Sequence, residues 1–168
     1  MIIYFFICLI VVIIQATMNT FFAVQGIYPD FCLILACLAG FLSGEYKGMG
    51  VGLTVGLFQD LLAPEGIGLN MVLKGLAGVL GGVITHTIST LTGPTILLGT
   101  WVLSVGCGLA SLVVAFPQVE WNMFIQTLAT TLLPQSVYNS LIALLGFGVV
   151  RKFRHSEKMG ESCYRHQV

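Results

Sequence analysis

Residues 40–62 read GFLSGEYKGMGVGLTVGLFQDLL, with glycine at 40, 44, 48, 52 and 56. On a helix a four-residue spacing collects small residues on one face, where a neighbouring backbone can approach closely. The stretch ends in Gln59-Asp60-Leu61-Leu62, and Gly78 and Gly82 repeat the spacing further along. Tight packing within the chain is the plainer use of such faces, and an interface with a different protein is the other.

On either side lie long apolar runs. The first covers Met1 to Ile14 and extends through Ala16 to Phe22. It lacks a basic leader and a small-residue cleavage site, so it is expected to be a retained first helix and not a signal peptide. The second runs from Ile27 to Leu42 and opens on Tyr28-Pro29-Asp30, with proline expected in the first turn. After a polar turn at 43–48 comes the short third run, Met49 to Leu62. The turn Ala63-Pro64-Glu65-Gly66 leads to the fourth, Ile67 to Ile88. The fifth is Pro94 to Phe116, closed by Pro117. The sixth, from about Met123 to Val150, carries Pro134, whose missing N–H predicts a kink.

Hydrophobic residues make up 57% of the 168, and charged residues only 8%. An average soluble domain has roughly 25% charged residues, so lipid must be the solvent for most of this chain. At about 20 apolar residues per crossing, six spans occupy residues 1–150. They leave a basic tail at 151–168 and no stretch for a soluble catalytic domain. The predicted fold class is all-α, a polytopic membrane protein with six transmembrane helices.

Orientation follows from the basic residues. Lys47, Arg151, Lys152, Arg154, Lys158 and Arg165 fall on one side of a six-span arrangement. The loops assigned to the other side, at 23–28, 60–66 and 116–121, hold Glu65 and Glu120 and no Lys or Arg. Both termini are therefore expected in the cytoplasm. Formal net charge is zero, which gives no reason to expect nucleic acid.

Few residues in the apolar runs are chemically reactive. Asp30, Asp60 and Lys74 are the ionisable ones, and such groups usually face the bundle interior and find partners. The turn after Asp60 brings the third and fourth helices side by side, so a Lys74–Asp60 pair is expected. Snorkelling of Lys74 or an ion pathway are the alternatives, though a relay would want more carboxylates. On the sixth helix Gln135 and Asn139 share a face beside Pro134 and Tyr138 and can bond across to another helix. His86, Tyr28, Trp101 and Trp121 read as interfacial residues. The five cysteines form no CxxC pair, and no Ser–His–Asp set, metal-ligand spacing or phosphate loop is present. No cofactor is expected.

Tyr28-Pro29-Asp30, the glycine-rich helix from Gly48 to Gln59-Asp60-Leu61-Leu62, Gly66-Ile67-Gly68-Leu69-Asn70, and Leu133-Pro134-Gln135-Ser136-Val137-Tyr138-Asn139 together resemble the rod shape-determining protein MreD family. The likeness covers nearly the whole chain, although Lys74 is unusual in so apolar a helix. It implies a non-enzymatic inner-membrane scaffold of bacterial cell-wall elongation. The implied partners are an MreC-like single-pass protein, MreB-like filaments and a glycosyltransferase–transpeptidase pair. It also implies a helical arrangement like that of the substrate-binding subunits of energy-coupling-factor vitamin transporters. The alternative function is accordingly a small-molecule-binding transporter subunit, against which the short, polar-poor outer loops count. Interaction candidates are Pro29, Asp30, Gly52, Gly56, Gln59, Asp60, Gly68, Asn70, Lys74, Gly78, Pro134, Tyr138 and Asn139.

Overall fold

The computed structural model describes the backbone of residues 2–18, 21, 26–62, 68–88, 91–115 and 121–165, and the side chains of these residues except 2–5, 18, 115 and 153–165. Ala63-Pro64-Glu65-Gly66, Pro117, Glu120 and the tail's side chains from residue 153 on lie outside the described residues. The helices are α1 (Ile2–Met18), α2 (Phe31–Ser43), α3 (Glu45–Leu62), α4 (Leu69–Thr87), α5 (Gly93–Ala115), α6 (Trp121–Thr127) and α7 (Leu133–Arg165). A π-helical turn, Leu128–Leu132, joins α6 to α7.

α2 lies at the centre and is buried along most of its length. One side packs Leu33, Cys37, Phe41 and their neighbours against Ala77, Ile96, Leu103 and Phe147 of α4, α5 and α7. The other sets Cys32 against Cys8 and Val12 of α1 and Val55 of α3. An apolar residue gains little by leaving lipid for an apolar core, so packing must come from close fit. The glycines supply that fit.

Gly48, Gly52 and Gly56 form a buried stripe on α3. A Cβ on Gly52 would overlap the Lys74 carbonyl and lie 2.9 Å from the Gly75 Cα. One on Gly56 would strike the backbone of Asn70 and Met71. Gly48 and Gly78 meet backbone to backbone, and Gly40 of α2 rests on Gly78 and Gly82. These contacts run in opposite chain directions between α3 and α4 and in the same direction between α2 and α4. The three helices form a unit held by main chain against main chain, and α3 with α4 makes its most extensive interface.

Several expectations need correction. No polar turn spans 43–48: α3 begins at Glu45, one residue after α2, because Gly44 turns the chain alone at φ 87°. Glu45-Tyr46-Lys47 belongs to the helix, and Gly44 is its hinge and not part of the packing stripe. Pro29 stands outside α2, which starts at Phe31 with Asp30 as N-cap. The irregularity expected at Pro134 takes the form of the π turn just before it, where the Leu133 N–H reaches back five residues to the Leu128 carbonyl. α7 itself runs on past residue 151 as far as Arg165.

Among the described residues three helical stretches are long and apolar enough to cross a membrane: Leu69–Thr87, Gly93–Val114 and Trp121–Lys152. The apolar stretches Phe6–Thr17 and Phe31–Ser43 are shorter. α3 has the length but carries Glu45, Lys47 and Asp60. At 1.5 Å per residue, the 13 residues of α2 rise only about 20 Å, and the non-helical entry at 27–30 lengthens the path.

Candidate functional site

That entry strand is where the polar residues gather. Backbone that is neither helix nor barrel within a membrane must find internal partners. Here the Tyr28 carbonyl accepts from Gln135 Nε2 at 3.1 Å, and the Pro29 carbonyl accepts from Gln15 Nε2 at 3.3 Å. Pro29 has no N–H to satisfy. The Asp30 N–H donates to Asn139 Oδ1 at 2.9 Å, and the Phe31 N–H donates to Gln15 Oε1 at 2.7 Å. The Leu33 N–H donates to Asp30 Oδ1 at 3.0 Å, which is the N-cap bond of α2. From the Tyr28 carbonyl to the Phe31 N–H each main-chain polar group thereby meets a named side chain, except the Asp30 carbonyl, which accepts the Ile34 N–H at 3.0 Å.

Lys74 lies one helix away and is 3% exposed. Its partner is Asp30, whose Oδ2 is 3.2 Å from Nζ; the expected pair with Asp60 does not form. Lys74 also donates to Gln59 Oε1 and, at 3.1 Å, to Asn70 Oδ1. Its three N–H donors are thus fully used. The reason is geometric: α2 runs parallel to α4, which carries its first residue to the level of the second turn of α4.

Asp60, 1% exposed, has another task. α4 starts at Gly68, which has no side chain to cap it and takes φ 111°. The Asp60 carboxylate substitutes from the end of α3, accepting the N–H groups of Gly68, Asn70 and Met71 at 3.0, 3.1 and 2.9 Å. A negative charge there also complements the helix dipole. Gln59 and Asp60 therefore fasten two different parts of α4.

Asn139 is buried on α7 and bridges two helices. Besides accepting from Asp30, it donates through Nδ2 to Ser104 Oγ on α5 at 2.8 Å. Pro134 is exposed, and Tyr138 is half-buried on α7. Gln15 and Ser104 escaped the sequence reading. Gln15 had a signal, a lone amide inside an apolar run; Ser104 had none, since serines are common in such helices.

Beside this junction opens a cavity of ≈ 290 Å³. Asp30, Asn70, Lys74, Ser104, Gln135 and Asn139 supply most of its polar lining, with Ser111 and Thr127 opposite. Leu33, Leu73, Cys107, Leu112 and Leu132 form the apolar walls. α5 touches the π turn here but diverges from α6, which among the described residues packs only on the π turn that continues it. Leu132 leans on Gly108 at the bottom of the divergence. Of the thirteen candidates, Asp30, Asn70, Lys74 and Asn139 line the cavity. Gln59, Asp60 and Gly68 stand behind it, and Gly52, Gly56 and Gly78 pack the helices that carry it.

Among the described residues no group of His, Cys, Asp and Glu is arranged to hold a metal ion. Comparison with curated proteins returns no match, and comparison with solved structures returns none. The model of the family described as rod shape-determining protein MreD matches residues 1–156, which takes in the entry strand, the glycine stripe, the Gln59-Asp60 step and the Pro134–Asn139 turn of α7. The polar junction and the glycine-packed trio are thus built from the same segments that carry the match, and the chain belongs to the rod shape-determining protein MreD family, a non-enzymatic family of bacterial inner-membrane proteins that determine cell shape.

Proposed function

We propose that this chain is a scaffold of the cell-wall elongation complex that crosses the inner membrane six times, with both termini in the cytoplasm. α1, α2 and α3 join the three longer stretches as spans, and the basic segment from Arg151 lies against anionic lipid or filament. The resemblance to vitamin-transporter subunits extends this to a bundle of the same general arrangement. The partners are an MreC-like single-pass protein and a glycosyltransferase–transpeptidase pair, with MreB-like filaments reached directly or through them. Binding is by lateral helix packing.

The observation that carries this reading is the backbone-to-backbone contact of α2, α3 and α4. It gives a rigid centre without bulky side chains, so that outer faces such as Leu57 and Leu61 of α3 or Val72, Leu76 and Leu80 of α4 stay exposed. The candidate residues act as fasteners of this centre: Gly52, Gly56 and Gly78 by close approach, Asp30, Gln59, Asp60, Asn70 and Lys74 by polar links. Pro29, Gly68, Pro134, Tyr138 and Asn139 shape the ends. Affinity purification of the tagged chain from mildly solubilised native membranes tests the reading. Recovery of an MreC-like protein and wall synthases, reduced in Gly52→Leu and Gly78→Leu, is the expected result. Recovery unchanged in both variants would count against helix packing as the mechanism.

The cavity favours a second reading, the small-molecule-binding subunit of a transporter. The outer loops are short, but the convergent polar groups that such a site requires come from helix walls instead. Co-purification of transporter ATPases in place of wall synthases would select it.

A further inference from the structure

We propose that the cavity beside Lys74 binds a small, uncharged, hydroxyl-rich molecule of the size of one sugar ring or cyclic polyol. The proposal goes beyond the scaffold reading and does not depend on it. Polar groups inside a bilayer are left facing open space only where water or a ligand can meet them. Ser111 and Thr127 face this cavity, and neither hydroxyl bonds to any other described residue.

The lining also selects the ligand. Lys74 has a cation's charge, but Asp30, Gln59 and Asn70 already occupy its three donors. An anion would find no free donor there and would face the Asp30 carboxylate as well. A cation would meet Lys74 beside the same carboxylate. The charges cancel, and what remains is hydrogen-bonding capacity. Asp30, with 21% of its side chain exposed, keeps lone pairs beyond those used by Leu33 and Lys74. Gln135 donates to Tyr28 and keeps its carbonyl oxygen. Ser104 accepts from Asn139 and keeps a proton to give. Two acceptors and three hydroxyls around leucine walls suit a molecule with hydroxyl edges and a C–H face. The ≈ 290 Å³ holds on the order of ten waters at about 30 Å³ each, enough for one six-membered ring and too little for two.

Cys107 lines the cavity, whereas Cys8, Cys32 and Cys37 are buried between helices. This makes it a built-in probe in the purified full chain once Cys163 is replaced by serine. A small uncharged maleimide should modify Cys107 about tenfold faster than the other three, which do not line the cavity. Glucose or myo-inositol at a saturating concentration should slow that reaction about threefold or more by mass action. Trehalose and acetate should not. The double variant Ser111→Ala/Thr127→Val should stay reactive at Cys107 and lose the protection. Three results would overturn the proposal: Cys107 as unreactive as Cys37, protection by acetate or trehalose as strong as by glucose, or protection by co-purified protein alone. The last would place a partner's polar helix in the cavity and leave the scaffold reading standing.

Discussion

Gly50 and Gly52 lie two residues apart on α3, and replacing each with alanine should have opposite effects. A Cβ on Gly50 meets nothing within 4 Å. The substitution there only removes glycine's backbone entropy, a gain of about 0.5–1 kcal/mol. At Gly52 the same methyl overlaps the Lys74 carbonyl oxygen and stands 2.6 Å from its carbon. An ordinary carbon contact is about 3.5 Å, so α3 must retreat from α4 by about 0.9 Å. No side chain can rotate aside, because the obstacle is main chain. A gap of that size forfeits roughly a quarter to a half of each contact along the interface. It would also loosen the Gly48–Gly78 and Gly56–Met71 approaches. Overpacking costs about 3 kcal/mol in such a rigid setting, and the helix-propensity gain of about 1 kcal/mol offsets part of it. Gly52→Ala should therefore destabilise by about 2 kcal/mol. Thermal unfolding of the purified variants in one detergent, followed as loss of the monodisperse species, is the assay. At roughly 2–4 °C per kcal/mol for a chain of this size, Gly52→Ala should melt about 4–8 °C lower and Gly50→Ala about 2 °C higher. Equal midpoints for the two variants would refute the claim that α3 and α4 touch through their backbones.

The polar junction gives three more expectations in the same assay. Lys74→Met strands the Asp30 carboxylate and should cost about 3–5 kcal/mol, while adding Asp30→Asn should recover much of that loss; additive losses would mean that the two side chains do not pair. Asp60→Asn replaces two acceptor oxygens with one, so one of the N–H groups of Gly68, Asn70 and Met71 loses its acceptor. The expected cost is about 1–3 kcal/mol, and a neutral result would argue against capping of α4 from α3. Asn139→Leu should cost a similar amount, about 1–3 kcal/mol, by orphaning the Asp30 N–H. Ser104→Ala should cost less than about 1 kcal/mol, since Asn139 keeps its tie to Asp30, and the reverse ranking would show that the α5 link dominates.

The glycine stripe was legible because its spacing is itself the geometry: residues four apart share a face whatever lies opposite. Even so, Gly44 fits the arithmetic and serves as the hinge, since spacing is blind to φ. The apolar runs located the helices but not their lengths; α2 has only 13 residues because the chain stays non-helical through Tyr28-Pro29 to its Asp30 cap. Lys74 was recognised as a group needing a partner, and the wrong carboxylate was assigned. Proximity along the chain pointed to Asp60, while the parallel run of α2 and α4, a long-range feature, brings Asp30. Gln135 and Asn139 are expected to bond to another helix; Asn139 does so at Ser104 of α5, but Gln135 Nε2 and Asn139 Oδ1 meet main-chain atoms of the entry strand, which sequence alone does not place. The cavity was not foreseen at all, because it arises from the divergence of α5 and α6 and not from any run of residues.

The two halves of the molecule are joined by different physics, and that difference locates its pliable part. Between α2, α3 and α4 the closest contacts are main chain on main chain at the glycines, where no side chain can rotate aside, so displacement there meets steep repulsion. Between this trio and the α5–α7 pair the apolar contact is made by side chains such as Phe41, Ile96 and Phe147. At the junction end polar bonds also cross the seam, from Asn139 and Gln135 to the entry strand and from the Cys107 thiol to the Leu73 carbonyl. Side chains can change rotamer and hydrogen bonds can exchange partners at a cost of about 1 kcal/mol each. The cavity lies on this softer seam, and so does the π turn, which frees the helix from strict register just where α6 leaves the bundle. A ligand or a partner helix entering there would move α5 and α6 and leave the glycine-packed centre in place. Asn139 pins this seam, because it holds α5, α7 and the start of α2 at once.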